Sequence, residues 1–151
     1  MNTSEIARVM HMTPDFYGVV PCCLIEQFKG REVAALIVNT DPHDKPGRHL
    51  VGLYLERDAI YFFDSFGRDI EEFEDPFASI VRDFASGCRI ITNKKQYQSY
   101  WSDTCGLWSI YYIISKTCNV VDFSEFTENT LENEQELRRQ FKKISELLDC
   151  L

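Results

Sequence analysis

Six consecutive apolar residues, Val33-Ala34-Ala35-Leu36-Ile37-Val38, place the first constraint on this chain. The run has the length of a strand and no polar alternation. Successive side chains of a strand point to opposite faces, so a strand can be apolar throughout only when both faces are covered. The chain must therefore build a sheet with structure packed on each side. Downstream, Asp41-Pro42-His43-Asp44-Lys45-Pro46-Gly47 carries every signal of a loop. Upstream, Phe16 to Leu24 reads as loop with strand-like pieces.

Leu50 to Leu55 and Ala59 to Phe63 are two further strands separated by the polar Glu56-Arg57-Asp58, and they read as a hairpin. If Glu56-Arg57 is the turn, Val51 faces Phe62, Leu53 faces Ile60 and His49 lies opposite Asp64. If the turn is Arg57-Asp58, His49 lies one diagonal step from Asp64. Glu71 to Ala85 places Phe73, Phe77, Ile80, Val81 and Phe84 at helical spacing, and Pro76 marks where the helix proper starts. Arg89 to Thr92 is a short strand. Gly106 to Lys116 is an apolar helix with Leu107, Ile110, Tyr111 and Ile114 on one side. A last helix over 131–151 repeats apolar residues at Leu137, Phe141, Ile144, Leu148 and Leu151. Near the start, Thr3 or Ser4 can cap a short helix with Ile6, Val9 and Met10 on its apolar side, ended by Pro14. Strands and helices without a βαβ rhythm predict an α+β domain, and 151 residues suit one domain, 1–151.

With 24 acidic against 16 basic residues, the net charge is -8, which argues against a general nucleic-acid binder. Lys94-Lys95 and Arg138-Arg139 with Lys142-Lys143 are the candidate basic patches, and both read first as solvated surface. No apolar run approaches the ~20 residues that cross a bilayer, and the polar start Met1-Asn2-Thr3-Ser4-Glu5 lacks the form of a secretory signal. An intracellular protein with reduced thiols is expected. The six cysteines, at 22, 23, 88, 105, 118 and 150, show no C-x-x-C spacing, and His11, His43 and His49 complete no ligand cluster. No metal or small-molecule cofactor is expected.

The hairpin brings an imidazole, His49, beside a carboxylate, Asp64, at its open end. A carboxylate there holds one ring nitrogen and favours the imidazolium. Cys105 follows the polar Ser102-Asp103-Thr104 and opens an apolar helix. Asp103 or Thr104 is a natural cap, and a thiol at a helix N-terminus has its thiolate stabilised by the dipole and the free amides. Gly106 lets a substrate backbone approach. The amide at Cys105 can receive an oxyanion, and Gln98 is a plausible second donor. Singly, each residue reads more readily as structural. Together, in the order His, Asp, Gln, Cys, they suggest nucleophilic catalysis.

Leu36-Ile37-Val38-Asn39-Thr40, Gly47-Arg48-His49, Tyr61-Phe62-Phe63-Asp64-Ser65-Phe66-Gly67, Gln98 and Asp103-Thr104-Cys105-Gly106-Leu107 together resemble the adenovirus maturation protease (adenain) family. So does the early Pro14-Asp15-Phe16-Tyr17-Gly18. The same order is that of the wider clan of SUMO- and ubiquitin-like-protein-specific proteases. The resemblance extends loosely over residues 1 to about 118. It implies a papain-like α+β fold with permuted chain order, in which a nucleophile helix packs on an antiparallel-rich sheet that carries His and Asp. It implies Cys105 as nucleophile, His49 as base and then acid, Asp64 as the group that orients His49, and Gln98 in the oxyanion hole. It implies viral precursor proteins as substrates, cut beside glycine in a narrow aromatic cleft for which Tyr100, Trp101 and Trp108 are candidate walls. A monomer is expected, and the same resemblance implies the host nucleus and virion.

The family is also stimulated by a disulfide-linked viral peptide and by DNA. The corresponding cysteine falls near Cys88, and the acidic balance argues against DNA. Leu50 stands where the family has Trp after the histidine, and Asp64 where adenain has Glu. An isopeptidase that removes ubiquitin-like modifiers and a non-catalytic virion-binding module are the competing readings.

Overall fold

The computed structural model describes residues 10, 11, 13–118 and 121–149. The expected α+β class is observed, as a five-stranded mixed sheet flanked by helices. The strands are β1 (Phe16–Pro21), β2 (Val33–Asn39), β3 (Leu50–Glu56), β4 (Ala59–Phe63) and β5 (Arg89–Thr92), side by side in chain order. β3 is antiparallel to its neighbours β2 and β4, whereas β1 joins β2 and β5 joins β4 in parallel. The helices are α1 (Phe77–Phe84), α2 (Cys105–Thr117) and α3 (Thr130–Asp149), with short 3-10 helices at Cys22–Phe28 and Ile70–Glu72. The expected N-terminal helix falls largely on residues outside the described ones, as do Cys150, Leu151 and the side chain of Leu148.

The apolar run in β2 is covered on both sides. Ala34, Leu36 and Val38 point into a core shared with the 3-10 helix at Cys22–Phe28 and with α1. Ala35 and Ile37 point into a second core built by α2, α3 and a cluster of aromatics. Leu36 and Ile37 are both fully buried, each contributing about 2 kcal/mol of apolar transfer. α2 is buried nearly all round: beside the expected Ile110, Tyr111 and Ile114, Trp108 and Ile113 are buried too. It lies so close to β3 that a Cβ at Gly52 would come within 3.1 Å of the Tyr112 ring.

The hairpin adopts the second of the two registers. Leu53 pairs with Phe62, Leu55 with Ile60 and Gly52 with Phe63. Arg57 takes φ 58° in the two-residue turn with Asp58, the left-handed first position that matches strand twist. The alternative register differs by two residues, which changes partners but leaves each side chain on the same face. Because β3 runs against the other four strands, its start shares one edge of the sheet with the ends of β1, β2, β4 and β5. His49, Asp64 and Asn93 all project from that edge.

Among the described residues, no helix is long and apolar enough to cross a membrane. The expected basic patches are partly neutralised: Lys95 pairs with Glu128 and Arg139 with Glu136.

Candidate active site

His49 immediately precedes β3 and Asp64 immediately follows β4, so strand pairing alone brings them together. His49 Nε2 lies 2.5 Å from Asp64 Oδ1. The His49 carbonyl accepts from the Thr40 N–H at 3.0 Å, which anchors the histidine backbone to the end of β2. Asp64 has no exposed side-chain surface, and its second oxygen takes the Arg68 Nε–H at 2.8 Å and the Arg68 backbone N–H at 3.1 Å. Asn93 clamps its main chain, accepting from the Asp64 N–H at 2.9 Å and donating to the Asp64 carbonyl at 2.6 Å. Gly67 closes this turn at φ 75°, where a Cβ would sit 2.9 Å from the Lys94 carbonyl oxygen.

Burial works against the Asp64 carboxylate, but the hydrogen bonds and charges of His49 and Arg68 outweigh it and hold its pKa below the ordinary value. For His49, burial pulls the imidazole down, while hydrogen bonds to Asp64 and Cys105 and the charges of both carry it above its ordinary value. Cys105 is the first residue of α2. Burial pushes its thiol up, yet the hydrogen bond and charge of His49, with the N–H groups of Leu50 and Gly106, bring it below the ordinary thiol value. With Nε2 committed to Asp64, Nδ1 is the ring nitrogen left for the sulfur. Ser109 ties helix to strand, its hydroxyl within 2.8 Å of the Cys105 carbonyl and 3.3 Å of the Leu50 carbonyl.

Aromatic rings stacked on the imidazole hold its plane. Phe66 stacks on His49 with centroids 5.3 Å apart and Phe73 lies at 6.4 Å. The Arg68 guanidinium covers both rings, at 5.3 Å from Phe66 and 4.3 Å from Phe73. These rings supply the cover that Leu50 does not. Phe66 also stacks on Tyr100 at 5.3 Å, joining the loop after β4 to the loop before α2.

Gln98 is 1% exposed. Its Oε1 accepts from the Ser65 hydroxyl at 2.5 Å and its Nε2 donates to the Ser102 carbonyl at 2.8 Å. These two bonds assign the amide ends and leave one Nε2 hydrogen free of partners among the described residues. Thr104 occupies the cap position of α2 but makes no capping bond, contrary to expectation. Its hydroxyl turns instead to the Glu134 carboxylate, 2.7 Å from Oε2. The first amides of α2 are thus not taken by a cap.

The remaining candidates lie differently. Gly106 is buried, and its contribution is its N–H toward the Cys105 sulfur. Trp108 is fully buried in the core and so is not a cleft wall, whereas Trp101 is 98% exposed. Cys88 precedes β5 at the opposite edge of the sheet, about 15 Å away by the length of β4, beside a cavity of about 380 Å³ also lined by Lys29, Arg31, Arg57 and Phe84. Arg68, Ser65, Asn93, Ser109 and Glu134 were not anticipated. They lack a motif of their own, although Ser65 and Arg68 flank Asp64 closely enough to invite inspection. The five described cysteines, 22, 23, 88, 105 and 118, are free.

No family model matches the sequence, and no curated protein is significantly similar to it. Among solved structures, the chain is similar to the central domain of the uncharacterized Lpg1148 protein from Legionella pneumophila. The TM-score is 0.55 at 16% identity, over 99% of this chain and 98% of that one. It also aligns with the ASFV pS273R protease, with a TM-score of 0.46 at 17% identity, over 79% of this chain and 57% of that one. The first of these likenesses shows a shared fold along nearly the whole chain.

Proposed function

We propose that this chain is a cysteine endopeptidase of viral type that cuts precursor proteins beside glycine, at sites of Leu-x-Gly-Gly character, during particle maturation. The observation that carries the reading is the His49–Asp64 hydrogen bond next to Cys105, with the thiol shifted down and the imidazole shifted up by their mutual interaction. That combination favours a thiolate–imidazolium pair, the state a cysteine nucleophile needs. The substrate class comes from the resemblance of the His49, Asp64 and Cys105 segments to the adenain family.

In this reading Cys105 Sγ attacks the carbonyl carbon of the scissile peptide. The carbonyl π pair moves onto oxygen, where the Cys105 N–H and the free Nε2 hydrogen of Gln98 stabilise the charge. The C–N bond breaks as His49 gives its proton to the leaving amine, and a thioester remains. A water molecule then loses a proton to His49 and adds to the thioester. Collapse expels the Cys105 thiolate and releases the carboxylic acid. Asp64 stays ionised and holds the ring through Nε2. Phe66, stacked on both His49 and Tyr100, supplies the aromatic wall of the cleft in this reading.

The test pairs alkylation with cleavage. The reduced protein is treated with iodoacetamide across pH, the reacting cysteine is mapped, and a fluorogenic Leu-x-Gly-Gly peptide is assayed alongside. Cys105 is expected to react fastest at or below neutral pH, cleavage to stop with it, and His49→Ala to slow both. A Cys105 that alkylates like an ordinary thiol near ~8.5, with no cleavage, overturns the reading.

A further inference from the structure

α3 lies beyond the segments that resemble the protease family, yet its first turn holds the loop before Cys105 at both ends. Asn133 is 1% exposed. Its Nδ2 donates to the Thr127 carbonyl at 2.8 Å and the Tyr97 carbonyl at 3.4 Å, and its Oδ1 accepts from the Thr127 N–H at 2.8 Å. Glu134, the next residue, accepts at Oε1 from the Ser102 hydroxyl at 2.7 Å, the Thr104 hydroxyl at 2.9 Å and the Ser99 N–H at 3.3 Å. Thr104 also reaches Oε2 at 2.7 Å. None of the ion pairs among the described residues includes Glu134. Its charge is answered entirely by neutral donors of one loop, in bonds that are stronger for being charge-assisted.

We propose that Glu134 is a positioning residue for oxyanion binding at Cys105. Two connections carry its effect. Ser102, held through its hydroxyl, offers its carbonyl to Gln98 Nε2 and so sets the direction of that amide. Thr104, held through its hydroxyl, cannot fold back as the cap of α2. A Ser or Thr at a cap position ordinarily accepts from the second or third amide of its helix. Releasing Thr104 would let its hydroxyl turn toward the third amide of α2 and shift the amide of Cys105 itself. The Glu134 carboxylate therefore keeps both oxyanion donors aimed at one point. Glutamine at this position offers one acceptor oxygen in place of two.

The inference rests on the cysteine-hydrolase reading. The test uses the full chain with Glu134→Ala and Glu134→Gln, and four measurements: amide hydrogen exchange over 98–105, kcat and KM on the Leu-x-Gly-Gly peptide, affinity for a peptide aldehyde, and iodoacetamide alkylation of Cys105. The aldehyde's hemithioacetal oxygen occupies the oxyanion position, whereas alkylation does not use it. For Glu134→Ala, exchange over 98–105 is expected to rise about tenfold while the sheet keeps its protection. Both kcat and aldehyde affinity should fall about tenfold or more, against ~10²–10³ for deleting a donor outright. KM and the alkylation profile should stay close to the parent's, and Glu134→Gln should fall between. A Glu134→Ala chain that keeps its local protection and its aldehyde affinity overturns the proposal. So does exchange that rises evenly through the sheet, which marks a general stabilising role. A parent chain with an ordinary Cys105 thiol and no cleavage overturns the protease reading instead, and the exchange data still decide whether Glu134 holds the loop.

Discussion

Ser65 donates its hydroxyl to Gln98 Oε1 at 2.5 Å, and in doing so joins the loop that follows Asp64 to the loop that precedes Cys105. The Ser65 carbonyl strengthens the junction by accepting from the N–H groups of Tyr97 and Gln98, at 2.8 and 3.1 Å. Ser65→Ala removes only the hydroxyl and leaves the Gln98 acceptor buried. The expected result is a loss of about 1–3 kcal/mol in stability. With the amide free to turn, kcat should fall about tenfold at similar KM. Urea unfolding and steady-state cleavage of the peptide measure the two.

The pH dependence follows from the directions of three shifts. The Cys105 thiol is lowered and the His49 imidazole raised, so kcat/KM should be bell-shaped, with the two limbs belonging to the pair. Asp64→Asn removes the anion that favours the imidazolium, so Cys105 alkylation should move up toward ~8.5. Asp64 itself has a lowered pKa. Its stabilisation is present above the ordinary carboxylate value of ~3.9 and is lost as pH falls through the lower folded value. The raised His49 acts in the opposite sense, contributing below ~6.5 and losing that contribution as pH rises through its folded value. Thermal melts of the parent and Asp64→Asn against pH check both signs.

Gly67→Ala tests the turn behind Asp64. The residue has φ 75°, and its added Cβ would lie 2.9 Å from the Lys94 carbonyl oxygen. A cost of about 2 kcal/mol is expected, visible as a lower urea midpoint. Activity should fall further, because Arg68 and Asp64 shift with the turn.

Leu36→Ala and Ile37→Ala test the doubly covered strand. The two residues are adjacent in β2 and point into different cores. Each substitution should cost about 2–5 kcal/mol. A sheet covered on one face only would show one large loss and one small one.

The strands were legible where burial dictates composition. An all-apolar β2 requires two covers, and the regular spacing of Leu137, Phe141 and Ile144 requires a helix. The hairpin's register was narrowed to two choices, since three polar residues, Glu56-Arg57-Asp58, can supply either turn and both choices bury the same faces. The meeting of His49 with Asp64 follows from strand pairing under either choice. What the sequence hid was long-range hydrogen bonding. Nothing near Thr104 announces that its hydroxyl is drawn away by a residue on α3. Nothing near His49 announces that Phe66 and Phe73 stack with its ring. Trp101 is expected as a cleft wall because the family resemblance implies a narrow aromatic cleft, yet it is almost wholly exposed and packs on none of the described aromatics.

Cys105 and His49 are anchored in different hydrophobic layers. The helix of Cys105 belongs to the core of Trp108, Tyr111 and Ile113, whereas Phe73, stacked on His49, packs into the core of Phe62 and Phe77. The gap between sulfur and ring nitrogen therefore depends on how the two layers sit across the sheet. Any substitution that shifts one layer against the other should therefore register in the alkylation rate of Cys105, without touching the thiol.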